Sequence, residues 1–360
     1  MGKITTIRDI LGVIKDKASL SKAALLSKSN VSLPLRLAIL RATSHVPPEP
    51  PGDHHLSNIL SLGNSSRATA SAVITALMDR LNSTSNCYVA LKSLMIIHHI
   101  IKRGPFILQD QLSVFPTTGG HNYLKLSAFR DGATAGTLAL SAWVRWYARY
   151  LETILFTYRV LGYFLCSSSN GMIKDNQEET ISSSLNVDLI KEVDSLIVLI
   201  EEMSKAPDHT PVEGNILLNE VMGLLANDYL SAVNEILLRL GEFKERLSCQ
   251  TFGDSVELIC ALKRLESCKD RTWALFAIKK PSIDMLWGLC EELKDGIEVL
   301  KVYKEGGKLL SSGRREKASQ SARLEQGVLK HADSVQFQSG RFDMDKFPFF
   351  VVQSVESNLL

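Results

Sequence analysis

A chain of 360 residues, 45% of them hydrophobic, holds enough apolar material for one large domain or two modest ones. Its 41 Lys and Arg nearly cancel its 39 Asp and Glu, yet residues 1–103 carry 13 basic against 5 acidic side chains. That local excess of eight positive charges suits the N-terminal third to an anionic partner, either a nucleic acid or a membrane surface. The six cysteines (Cys87, Cys166, Cys249, Cys260, Cys268, Cys290) show no CxxC spacing, no signal-peptide pattern is visible, and no apolar run reaches about 18 residues. The expectation is a cytoplasmic chain with reduced thiols that does not span a bilayer.

From Lys3 to Lys17, Ile4, Ile7, Leu11 and Ile14 recur at helical spacing among Lys3, Arg8, Lys15 and Lys17, which predicts an amphipathic helix with basic flanks. Its apolar stripe either docks on the core or inserts into a membrane interface. Gly2 and Thr6 also satisfy a short myristoylation pattern. Two further helical patterns follow, Leu20 to Lys28 and Val31 to His45, the second with Pro34 in its first turn and with Arg36 and Arg41. Four prolines and a glycine in VPPEPPGD (Val46 to Asp53) then break the helix and make a stiff, exposed loop ending at His54 and His55.

Helices are predicted next over His54 to Leu62 and Ser66 to Leu81. The stretch from Cys87 to Gly104 is apolar on almost every side from Leu91 to Ile101, so it reads as a core helix. Thr84, Ser85 or Asn86 caps its start, and Lys102, Arg103, Gly104 and Pro105 end it. His98 and His99 form a polar stripe with Lys92 and Arg103. Adjacent residues on a helix diverge by about 100° and no acidic or thiol partner stands at ligand spacing, so partly buried, hydrogen-bonded imidazoles are expected rather than a metal site. Phe106 to Phe115 reads as a short helix and Tyr123 to Asp131 as a connector. A long helix is expected from Thr137 to about Cys166, with Leu140, Trp143, Val144, Tyr147, Leu151 and Ile154 inward and Arg145, Arg149 and Glu152 outward.

Residues Ser167 to Ser184 are polar and non-periodic, an exposed loop. Leu185 to Met203, Asn215 to Leu247, Asp254 to Ile278 and Ile283 to Lys304 carry leucines and isoleucines at the helical period. From Gly306 a flexible tail is expected, ending in the apolar segment FDMDKFPFFVVQSVESNLL, either a docking segment or a linear motif for a partner. No strand-like alternation occurs. A Gly-rich phosphate loop, a nucleophile elbow, a zinc helix and a spaced Cys/His set are all missing, so nothing requires an enzyme, a metal or a cofactor. The acid pairs Glu178/Glu179, Glu201/Glu202 and Glu291/Glu292 read as solvated faces. Short connections between successive helices imply an all-α stack of antiparallel pairs.

Three segments, ALKSLMIIHHIIKRGP (Ala90 to Pro105), LKLSAFRD (Leu124 to Asp131) and WVRWYARYLETIL (Trp143 to Leu155), resemble the ANTH domain of plant clathrin-assembly proteins. RATSHVPPEPPGDHHL (Arg41 to Leu56) is similar to that family's lipid-binding loop, and the likeness covers about residues 5 to 300. The resemblance implies an ENTH/ANTH-like right-handed α-solenoid over residues 1–305. Its lipid-binding half would span 1–166, its exposed loop 167–184 and its later helices 185–305, with a flexible tail over 306–360. It further implies a peripheral membrane adaptor in endocytosis and vesicle budding. Such an adaptor binds phosphatidylinositol 4,5-bisphosphate, recruits clathrin, vesicle SNAREs and other coat adaptors but no nucleic acid, and works at clathrin-coated pits, vesicles and Golgi.

In that family the lipid patch is a lysine followed, after a proline-containing loop, by a Lys-x-Lys/Arg-His cluster. Here Arg41 takes the first lysine's place and His55 matches the histidine, while the cluster lysines become Gly52 and His54 with Asp53 between them. At about 1 kcal/mol for each basic residue near an anionic surface, two lost charges weaken binding roughly 30-fold. Histidine changes charge near neutral pH, so weak or pH-dependent lipid binding is expected. The candidate lipid-binding residues are Arg41, His54, His55, Arg36 and Lys28, with Lys15, Lys17 and Lys22 as further compensation, and the candidate inserting residues are Ile4, Ile7, Leu11 and Ile14. The alternative is a protein-interaction scaffold on the same fold that has lost phosphoinositide binding.

Overall fold

The computed structural model describes residues 7–26, 32–46, 48–115, 124–165, 177–208 and 214–315. Among the described residues every regular element is helical. In chain order they are α1 (Ile7–Leu26), α2 (Ser32–Ala42), α3 (Asp53–Gly63), α4 (Arg67–Ser83), α5 (Cys87–Arg103), α6 (Phe106–Ser113), α7 (Ala135–Leu161), α8 (Gln177–Ser183), α9 (Asn186–Ser204), α10 (Ile216–Glu245), α11 (Phe252–Ser267), α12 (Lys269–Phe276) and α13 (Pro281–Arg315). The chain divides into two compact units, Met1–Glu305 and Gly306–Leu360.

Local signals set the helix ends. Ser66 with Thr69, Thr134 with Thr137 and Thr251 with Asp254 form reciprocal capping boxes at the starts of α4, α7 and α11. The α5 cap is Asn86, whose side chain accepts from the amides of Tyr88 and Val89. Gly162, at φ 81°, ends α7 in a left-handed conformation that glycine adopts at no steric cost.

The helices stack on near neighbours in the chain: α2 on α3 and α4, α4 on α5 and α6, α5 on α6 and α7, α7 on α9, and α9 on α10 and α11. That is the all-α solenoid of stacked helix pairs. Residues 89–101 of α5 are all buried, and α3, α4, α6, α7 and α10 surround them. On α7, Trp143, Trp146, Tyr147 and Tyr150 are buried together, and each such side chain contributes about 1.5–3 kcal/mol by leaving water.

Several expectations change. Residues 7–26 form one helix where two were expected, because no proline or glycine falls between Lys17 and Leu20. The pattern from Asp254 to Ile278 breaks at Cys268 into α11 and α12, and α12 ends on Ala277 in the left-handed region at φ 47°. Of the loop expected over Ser167 to Ser184, Gln177–Ser183 is helical and buries Ile181, while residues 167–176 lie outside the described residues. Gly306 does not stop α13, which continues to Arg315, since extending an established helix is easier than starting one. The apolar end of the chain and Gly2 lie outside the described residues.

Candidate functional site

The first helix is attached through its small and charged residues. Gly12 lies so close to the proline loop that a Cβ there would stand 2.8 Å from His45 Cβ, and Ala23 is buried on the same side. Asp16 accepts from the backbone amide of His45 at 2.8 Å and pairs with its ring Nδ1 at 2.6 Å, with the Arg80 guanidinium of α4 3.5 Å away. Burial pushes the Asp16 carboxyl up, but His45 and Arg80 together hold it below its ordinary value. Nearer the start of α1, Arg8 pairs with Asp131 and lies over the Tyr88 ring at 5.6 Å. Asp131 in turn accepts from the amide of Cys87 at 2.9 Å, which ties α1 to the first turn of α5.

The large apolar residues of α1 point the other way. Ile7 is 79% exposed and Leu25 85%, with Ile10, Leu11 and Ile14 also exposed. At 100° per residue these five fall within an arc of about 100°, opposite Gly12, Asp16 and Ala23. Lys15 and Lys22 border one edge of this ridge and Lys17 the other, all three exposed.

A buried lysine fixes the loop beside α1. Lys92 on α5 donates to the Ser44 carbonyl at 2.9 Å, and burial lowers its pKa to about 8. Arg80 donates to the hydroxyl and carbonyl of Thr43 at 3.1 and 2.9 Å. Pro51 is buried, whereas Pro48 and Glu49 are exposed. Asp53 opens α3, where an acidic side chain suits the positive end of the helix; its carboxylate is 91% exposed and 3.9 Å from Arg103.

Of the sequence-predicted lipid residues, Arg36 and Arg41 stand on α2 and His54 and His55 on α3. His54 is exposed and His55 half-buried in the first turn of α3, with ring centroids 5.6 Å apart. Arg41 is exposed at the end of α2 and makes no hydrogen bond or ion pair among the described residues. Arg36 stands five residues earlier, so it projects about 140° away from Arg41. There it shares a 350 Å³ cleft with Lys22 and Arg80 between α1, α2 and α4. Ile4 and Lys28 lie outside the described residues. Arg80 was missed by the sequence reading, although a signal existed: it stands on the buried face of α4 among Val73, Leu77 and Leu81, where a cation needs a polar partner.

Deeper polar groups are structural. His98 is fully buried, bonded through Nε2 to Asp228 at 2.6 Å and through Nδ1 to the Tyr147 hydroxyl at 2.8 Å. His99 is buried too, against Arg103. Both are more enclosed than the partly buried imidazoles expected. Glu201 and Glu202 are not a solvated pair either: Arg264 takes Glu201 bidentately, and Arg149 and Lys205 take Glu202. Among the described residues no group of three or more His, Cys, Asp or Glu is arranged to hold a metal ion, and no helix is long and apolar enough to cross a membrane.

The ANTH domain model matches residues 34–243. The chain belongs to the ANTH-domain family. An Arabidopsis thaliana relative, "Putative clathrin assembly protein At4g40080", is 48% identical over 97% of this chain and 98% of its own length. "Putative clathrin assembly protein At5g10410" from the same plant is 34% identical over 79% of this chain and 84% of its own. A third, "Putative clathrin assembly protein At5g65370", is 29% identical over 82% and 100%. The ANTH match begins inside α2, so the ridge of α1 precedes it, and α11, α12 and α13 follow it.

Proposed function

We propose that this ANTH protein is a peripheral clathrin-assembly adaptor of endocytosis and vesicle budding, which settles on phosphoinositide-bearing membrane through α1 and the basic residues around it. The observation that carries this reading is the outward ridge of Ile7, Ile10, Leu11, Ile14 and Leu25 with lysines along both edges. A core-packing helix buries such residues; an interfacial helix sinks them between headgroups while lysines reach up to the phosphates.

Magnitudes favour it over the scaffold alternative. Replacing the two cluster lysines forgoes about 2 kcal/mol. Each ridge Ile or Leu that leaves water returns about 1.5–3 kcal/mol, so two of the five compensate. Arg36 and Arg41, with Lys28 beyond the described residues, add charge, and His54 and His55 add more at lower pH. The names of the relatives support clathrin as a partner, and the family resemblance supports vesicle SNAREs as cargo and coated pits, coated vesicles and Golgi as the place of action. The protein's action is recruitment, without bond chemistry.

The test is co-sedimentation of the full chain with phosphatidylcholine/phosphatidylserine vesicles, with and without phosphatidylinositol 4,5-bisphosphate, at pH 6 and 7.5. Ile7→Ser/Leu11→Ser/Ile14→Ser is expected to lose vesicle binding with an unchanged melting temperature, and His54→Ala/His55→Ala to lose the extra binding at pH 6. Wild-type protein that stays in the supernatant under every condition leaves the helical scaffold as the correct reading. Capture of purified clathrin by the immobilised full chain tests the coat partner.

A further inference from the structure

The chain has four tryptophans, of which Trp143 and Trp146 are buried in the core. The other two, Trp273 and Trp287, line one pocket at the junction of α10, α12 and α13. Tyr229 of α10 and Phe276 of α12 complete its aromatic walls, stacked on each other with ring centroids 5.2 Å apart. Four rings from three helices therefore border a cavity of 350 Å³, a size that falls among small-ligand sites of about 300–1,000 Å³.

The turn that assembles this pocket is strained. Ala277 ends α12 at φ 47°, a left-handed conformation that a residue with a Cβ adopts only at a steric cost, and its neighbours Phe276 and Ile278 both line the cavity. Trp273 is 50% exposed, so part of its ring stays open to a ligand.

The charges around the rings select what enters. Lys269 holds its ammonium over the Trp287 ring, 5.0 Å from the centroid, so this aromatic face already attracts a cation. Asp270 and Asp284 bring two carboxylates to the lining and Lys279 a second ammonium. All four side chains are exposed, and none forms an ion pair or hydrogen bond among the described residues. A purely apolar ligand would leave these charges unused, and a plain anion would be repelled by the aspartates. A zwitterion matches them, with its cation among rings and carboxylates and its anion beside the lysines. A quaternary ammonium also suits the rings better than Lys269 does, because it has no N–H groups to strip of water.

We propose that this pocket binds a phosphocholine group. The trimethylammonium displaces Lys269 from Trp287 and sits among the aromatic rings beside Asp270 and Asp284, and the phosphate meets Lys269 and Lys279. The group arrives either as a lipid headgroup or as soluble phosphocholine. The pocket shares no residue with α1 or with the α3 histidines, so it stands or falls apart from the membrane reading above.

The experiment titrates the full chain calorimetrically with phosphocholine and with phosphoethanolamine, using wild type, Trp273→Ala and Asp270→Asn/Asp284→Asn. The three residues are exposed, so both variants are expected to keep the melting temperature, which is checked first. Phosphocholine is expected to bind about tenfold more weakly to Trp273→Ala, and wild type to hold phosphoethanolamine about tenfold more weakly than phosphocholine. A lowered melting temperature in Trp273→Ala leaves the decision to the aspartate variant, which is expected to lose about threefold, and to the comparison of the two ligands.

Sedimentation on pure phosphatidylcholine vesicles that drops in Trp273→Ala assigns the pocket to a lipid headgroup. Titration with soluble phosphocholine that depends on Trp273, without that drop, assigns it to a soluble ligand, and either result upholds the site. Wild type that takes up no phosphocholine at millimolar concentration overturns it. So does equal affinity for the two ligands, or phosphocholine affinity within twofold of wild type in both variants.

Discussion

Asp228 is the sharpest place to test how the solenoid is held together. Its carboxylate, on α10, accepts from His98 Nε2 at 2.6 Å, Lys102 Nζ at 2.6 Å and the Tyr150 hydroxyl at 2.7 Å, and the residue is 4% exposed. One side chain therefore ties α5, α7 and α10. Burial alone would raise its pKa, but His98 and Lys102 outweigh burial and hold it at about 2. Asp228→Asn keeps the shape, removes the charge and turns a donor toward groups that already donate. Breaking one partner of a buried ion pair costs about 3–5 kcal/mol, a large part of a domain stability of about 5–15 kcal/mol.

Urea denaturation followed by circular dichroism measures that loss. Lys102→Met in the same chain makes the two losses less than additive, with a coupling of about 1–3 kcal/mol. The acid limb is a second readout. A carboxyl held at about 2, against an ordinary value of 3.8, contributes stability above pH 4 that is lost as pH falls toward 2; this is about 2 kcal/mol, and Asp228→Asn lacks it. A cost below about 1 kcal/mol for Asp228→Asn, or strict additivity with Lys102→Met, would refute the three-helix tie.

Three further outcomes follow from other buried contacts. Burial first, then Arg103, lowers the His99 pKa to about 3, and its Nδ1 accepts from Arg103 at 2.9 Å; the unfolded imidazole takes up its proton as pH drops below about 6.5, so stability falls from there toward pH 3. His99→Gln is expected to flatten this slope by about 3 kcal/mol at pH 4, and urea midpoints that track wild type would exclude it. Lys92 releases its proton in the fold near pH 8 while the unfolded chain keeps it to about 10.5, so stability gains up to about 3 kcal/mol as pH rises between those values. Lys92→Met should lack that gain, and a flat wild-type-minus-variant difference from pH 8 to 10 would count against it. Gly12→Val drives a side chain into His45, costs about 1–3 kcal/mol, and is expected to speed tryptic cleavage at Lys15 and Lys17; unchanged digestion would mean that α1 is not seated there.

The core was readable from sequence where one periodic signal agreed with its caps. The apolar run of α5, the possible caps Thr84, Ser85 and Asn86 before it and Gly104 with Pro105 after it all pointed to one helix, and that helix, capped by Asn86, lies in the interior. Periodicity does not say which face of an amphipathic helix is docked. The isoleucines of α1 announced a stripe, but its seat is built from Gly12, Asp16 and Ala23, whose partners His45 and Arg80 stand 29 or more residues away. Charges behaved likewise: Glu201 and Glu202 looked solvated because Arg264 lies 63 residues on from Glu201 and Arg149 53 residues before Glu202. The break at Cys268 carries no proline or glycine and had no local signal. Arg36 and Arg41, close in sequence, separate simply because five residues of helix turn through about 140°.

The way α1 is seated has a mechanical consequence. Amphipathic segments that fold only on a surface lose about 1–2 kcal/mol of backbone freedom per residue on arrival. Here the helix is already wound and already bolted to α5 through Arg8 and Asp131 and to the loop through Asp16 and His45. From Ile7 to Leu25 it offers a straight edge of about 27 Å. A body resting on such an edge could roll about it but not pitch, so a solenoid that settled on a surface through α1 would meet it at a set inclination.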